Sequence, residues 1–130
     1  MAYRVGAEEA ISQRAASQVN SCVAVIYSAS QADYVLTAAS SMAQAQEPVG
    51  LSIATAASPG DPIAIQTEGI GKAIAAASIG VGGRAVVASS NGALGPVGAS
   101  PAAWTVGVAR TAAAAGEYFS VLIDPEKVGN

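Results

Sequence analysis

Apolar positions in this chain alternate over short runs and do not recur at helical spacing. In Val49-Gly50-Leu51-Ser52-Ile53-Ala54 the aliphatic residues stand at every second place, the period of a half-buried strand. Ser58-Pro59-Gly60-Asp61-Pro62 then predicts a turn, because proline fixes φ and glycine supplies a positive one. Ile63 and Ile65 resume the alternation beyond it. The same design returns in Val106-Gly107-Val108-Ala109 through Ala115-Gly116-Glu117-Tyr118 to Ile123. Residues 49–65 and 106–123 both open on Val-Gly and an aliphatic residue, cross Thr-Ala-Ala, and reach a glycine followed by an acid. Deleting one turn residue brings them into register, which predicts an internal duplication building opposite sides of one barrel.

Other strands are predicted at Cys22–Tyr27, Tyr34–Thr37, Ile70–Ile74 and Arg84–Ala88. Asn91-Gly92 is the strongest short hairpin signal, since a type I′ turn needs positive φ twice. The segment 38–47 mixes helix formers with serines and stays open between helix and loop. Pro125 predicts that the tail leaves the sheet there, because proline donates no ladder hydrogen bond. Residues 1–20 show no sustained period and read as an N-terminal arm, ordered, if at all, by contact with something else; the plainer alternative is a frayed terminus. The expected fold is therefore mostly β, with little helix: a small barrel or sandwich of about eight short strands over 21–130, preceded by that arm.

Composition sharpens this picture. Of 130 residues, 52% are apolar but only 5% aromatic, so the core is built largely from alanine, valine and isoleucine. Small side chains bury little area each, at roughly 25 cal/mol per Å², which predicts a chain stabilised by association. Only 12% of residues are charged, about half the usual fraction of roughly 25%, as expected where part of the surface is covered. The net charge is −3 and the six basic residues are scattered singly, so no nucleic-acid partner is expected. No run reads as a membrane span of roughly 20 apolar residues. A single cysteine, Cys22, excludes an intrachain disulfide, fits synthesis in a reducing cytosol, and reads as a small buried hydrophobe.

Candidate chemistry is sparse. The chain has no histidine, the commonest general base and metal ligand. A phosphate loop ending on Gly71-Lys72 needs glycine at position 66 and Ser or Thr at position 73, where Gln66 and Ala73 stand, so both ends fail. Asp61 and Glu117 follow the turn glycines of the two copies; they read as solvated turn acids or, more sharply, as two halves of a metal site lacking further oxygen ligands. No catalytic residue and no cofactor are expected. Trp104 is read as either a core plug or an interface anchor. Tyr118 to Ile123 is apolar on both faces, so something must cover its outer side.

In order and spacing, Pro48-Val49-Gly50-Leu51, Pro59-Gly60-Asp61-Pro62-Ile63, Glu68-Gly69-Ile70, Val81-Gly82-Gly83-Arg84-Ala85-Val86, Asn91-Gly92-Ala93-Leu94, Val106-Gly107-Val108-Ala109 and Ala115-Gly116-Glu117-Tyr118 resemble the capsid decoration, or cement, proteins of tailed bacteriophages. The resemblance spans about 33–123. It implies a non-enzymatic structural virion protein, made in the host cytoplasm and bound to the outer surface of an expanded icosahedral capsid. Such a protein stabilises the shell against the pressure of packaged DNA. The implied partners are the phage major capsid protein and further copies of the chain in a homotrimer. Under this reading the interface residues are Tyr3, Arg4, Val5, Ile11 and Arg14 of the arm, which adds a strand to a capsid-protein sheet edge, together with Trp104 and Tyr118. Two alternatives stand beside it: another virion or surface module such as a fibre base or adhesin-like domain, and a small-molecule-binding barrel or enzyme.

Overall fold

A computed structural model describes residues 9–28, 34–38, 46–89, 91–97 and 103–128. Ten strands and no helix lie among them: β1 Glu9–Ala15, β2 Ala24–Tyr27, β3 Tyr34–Thr37, β4 Gly50–Ser52, β5 Pro62–Glu68, β6 Ile70–Ile74, β7 Arg84–Val87, β8 Leu94–Pro96, β9 Ala103–Ala109 and β10 Tyr118–Val128. The mostly-β expectation holds, with ten strands in place of about eight.

The first five strands close into a barrel in the order β1-β3-β2-β4-β5. β1 seals it, running antiparallel to β5 and parallel to β3. The last five form a sheet in the order β6-β10-β9-β7-β8, and a parallel bridge between Ala75 and Leu94 brings its ends together. The two halves share one topology: β6 repeats β1, β7 repeats β2, and so on through β10 and β5. Ala15 and Val19 recur as Ala75 and Ile79 at a spacing of 60 residues. Val19 exchanges backbone hydrogen bonds of 2.8 and 2.9 Å with Ala56, and Ile79 does so with Ala113 at 2.9 and 3.0 Å. The repeated topology therefore extends well beyond 49–65 and 106–123. Those two stretches build equivalent corners of two halves, and not opposite sides of one barrel.

Each half has its own interior. Ala15, Val19, Val25, Val35, Ala56, Ile63 and Ile65 fill the first barrel. Their counterparts Ala75, Ile79, Ala85, Leu94, Ala113, Phe119 and Val121 fill the second half. That second cluster also takes in Ala24, Ile26 and Leu51 from the outer face of the first barrel, so the halves are packed on one another.

Three expectations change. Residues 9–15, read as part of an arm, are a barrel strand paired from Glu9↔Glu68 to Arg14↔Pro62. Ile11 and Ala15 supply the apolar side chains turned inward among those described in this strand, so partner strands, not its own pattern, decide its structure. Pro125 does not end the sheet: β10 runs on to Val128, pairing Glu126↔Thr105 and Val128↔Ala103. The register shifts between Ile123 and Glu126, and proline is tolerated at such an irregularity because no ladder donor is required. Cys22 lies in a turn at φ 65°, half-buried, and not within a strand. The Asn91-Gly92 hairpin does form, between β7 and β8, with positive φ at Gly92 and not at Asn91. Part of 38–47, at 39–45, lies outside the described residues.

Candidate interaction surface

The two turn acids do not converge. Asp61 Oδ2 accepts a hydrogen bond from the Ser58 amide at 3.1 Å, and Glu117 Oε1 accepts one from the Ala114 amide at 2.8 Å. Each carboxylate caps its own turn, which accounts for the matched positions without a metal. No cluster of three or more metal-ligating side chains occurs among the described residues.

The sequence-derived interface residues fall in separate places. Tyr3, Arg4 and Val5 lie outside the described residues. Ile11 packs against the interior of the first barrel, which explains its apolar character without a partner. Arg14 is exposed, and its Nη1 donates to the Gly60 carbonyl at 3.0 Å, pinning β1 to the turn before β5. Trp104 is half-buried within β9. Tyr118 opens β10 and is 55% exposed.

Around Tyr118 the structure gathers residues that are distant in sequence. β6, β10, β9 and β7 lie side by side, and their register sets Ile70 beside Leu122, Leu122 beside Val108, and Val108 beside Arg84. All four point away from the core, because their neighbours Gly71, Val121, Ala109 and Ala85 are the buried set. Ile70 is 41% exposed, while Val108, Leu122 and Val86 are half-buried. In the next row Lys72 pairs with Ser120, and the Lys72 ammonium sits 4.6 Å from the centre of the Tyr118 ring, within cation–π range. A shallow cleft of about 410 Å³ runs past Ile70, Lys72, Tyr118 and Ser120 to Gln66 of β5, reaching the seam between the halves.

The opposite edge of this face is held by Arg84. Its Nη2 lies 3.2 Å from Glu126 and 3.5 Å from Asp124, and its Nη1 donates to Thr105 Oγ1 at 3.3 Å. The buried Thr105 hydroxyl in turn donates to the Glu126 carbonyl at 2.9 Å. This set clamps the last residues of β10 onto β9 and offsets the Arg84 charge locally. The signal available in the sequence was the doubly apolar run Tyr118–Ile123. Ile70, Lys72, Arg84 and Val108 join it only through strand pairing, which no local pattern reveals.

The seam shows what such a face does when covered. Ala24, Ile26 and Leu51 are at most 2% exposed. The Gly92 carbonyl of the β7–β8 turn accepts from the Ala24 amide at 3.1 Å, and the Cys22 carbonyl accepts from the Ile74 amide at 3.2 Å. Gly71 lies against the Leu51 side chain. Fully burying a leucine or isoleucine side chain contributes about 1.5–3 kcal/mol, so this contact is a substantial part of what fixes the halves together.

No protein-family model matches the chain, and no curated protein does either. Among solved structures it is similar to the N base of the head fibre protein gp8.5 of bacteriophage phi29, at 21% identity and a TM-score of 0.69, over 95% of this chain and 99% of that one. The chain has the fold of that fibre base.

Proposed function

We propose that this chain is a non-enzymatic structural protein of a bacteriophage particle, attached to the outside of the head as the base of a fibre. The observation that carries the reading is the match to a head fibre base over 95% of this chain. The chemistry of the chain supports it: there is no histidine, the paired acids cap turns, and the most distinctive surface is an apolar face. The proposed partners are the phage major capsid protein and two further copies of this chain in a homotrimer.

The capsid-decoration reading shares the place of attachment and differs in what binding does to the shell. It is favoured by the order of turn motifs over 33–123. Heat-release of DNA from heads with and without bound chain separates the two. A fibre base leaves the release temperature unchanged, whereas a cement protein raises it. Immunogold labelling of intact particles tests the shared part: label on the head supports attachment there, and label confined to the tail or absent from particles removes it.

A further inference from the structure

We propose that the outer face of β7, β9, β10 and β6 joins one copy of this chain to a second copy. The inference rests on the reading of the chain as a structural protein present in several copies, and it names the surface that links them. The internal duplication identifies this face. Val86 and Val108 occupy the places of Ile26 and Leu51 in the repeated topology. In the first barrel those places are buried by another half of the same fold, with Ile26 2% and Leu51 1% exposed. In the second half, Val86 and Val108 are only half-buried, and the row extends through Leu122 to the exposed Ile70, with the exposed Tyr118 two rows on along β10.

Three further observations commit the occupant to a second copy. The face borders an existing contact between two such halves, because the cleft beside Ile70 and Tyr118 reaches Gln66 of the first half. Its arginine is offset by Asp124 and Glu126 of the same chain, so it does not select a strongly acidic partner. With 12% charged residues, the chain itself supplies the weakly charged surface that such a face fits. The place of Ala24, which receives the Gly92 carbonyl in the first barrel, is taken by Arg84. The contact between copies therefore centres on the Val108–Leu122–Ile70 side and does not repeat the Gly92 contact.

The test is the mass of the full chain in solution by sedimentation equilibrium across a range of concentrations. The double variant Ile70→Lys/Tyr118→Lys changes two already exposed side chains, and Ile53→Lys on the first half, where Ile53 is 51% exposed, serves as control. The expected result is a wild-type mass of two or more chains, a double variant reduced to one chain that melts as the wild type does once diluted to monomer, and an unaltered control. A wild type that stays monomeric overturns the proposal, as does assembly lost in Ile53→Lys but kept in the double variant. A monomeric wild type that binds heads while the double variant does not assigns the face to a head protein, which also overturns it. Intact face-dependent assembly without head binding supports this inference while removing the function proposed above.

Discussion

Gly107 packs its α-carbon against the carbonyl of Leu122 on the neighbouring strand, as Gly50 does against Gln66 in the first barrel. A Cβ at either position would overlap that oxygen, which belongs to backbone and has no rotamer to retreat to. This is the physical content of the repeated Val-Gly: the glycine permits β9 to approach β10, and β4 to approach β5. Gly107→Ala and Gly50→Ala are each expected to destabilise the fold by about 2 kcal/mol or more. Gly80→Ala, where a Cβ meets nothing within 4 Å, should change stability by less than about 0.5 kcal/mol. Urea denaturation of the three variants checks the contrast, and three equal midpoints would contradict it.

Cys22 holds a positive φ of 65° where the matching turns place Gly60, Gly82 and Gly116 at 86–88° or 85°. A side chain in that conformation is strained by roughly 1–2 kcal/mol. Cys22→Gly relieves this but frees the unfolded chain, offsetting about 0.4–1 kcal/mol, so its midpoint should equal or exceed that of the parent. Cys22→Val should lower stability by about 1–3 kcal/mol, because a β-branched residue is poorly suited to positive φ. A valine variant as stable as the parent would contradict the strained turn.

Leu51 and Val108 hold equivalent places, the first sealed by the seam and the second on the outer face. Leu51→Ala should cost about 2–5 kcal/mol at any protein concentration. The cost of Val108→Ala should depend on concentration, rising where copies associate, since binding adds to stability by mass action. Melting curves across protein dilutions measure this; a concentration-independent Val108→Ala effect would count against association through this face.

Much of this architecture is legible in the chain. The alternation at 49–54, the proline-glycine turns and Asn91-Gly92 identify strands and their connections, because each is set by neighbours in sequence. β1 is not legible in this way: Glu9–Ala15 carries too few apolar residues, and β5 and β3 decide its structure. The continuation of β10 past Pro125 depends likewise on a register shift opposite β9. For the interaction surface, Tyr118–Ile123 already showed that an outer apolar face needs a cover. That Lys72 would stand over Tyr118, and Arg84 beside Val108, follows from pairings between strands far apart in sequence.

Arg84 ties the end of β10 to β9 through Asp124, Glu126 and Thr105. The acids are more than half exposed, so the ion pairs contribute at most about 1 kcal/mol to global stability. Their effect should instead be local. In Arg84→Ala, amide hydrogen exchange should accelerate at 124–128 while β5 and β1 keep their protection, and added salt should mimic the change in the parent. Uniform acceleration across both halves would show that Arg84 supports the whole fold and not this end of it.

Attachment to a phage head is tested most directly by co-sedimentation of the purified chain with DNA-filled heads, alongside unexpanded shells, over increasing chain concentration. Saturable pelleting with the filled heads is the predicted result. Failure to pellet with either particle at any concentration would contradict the account.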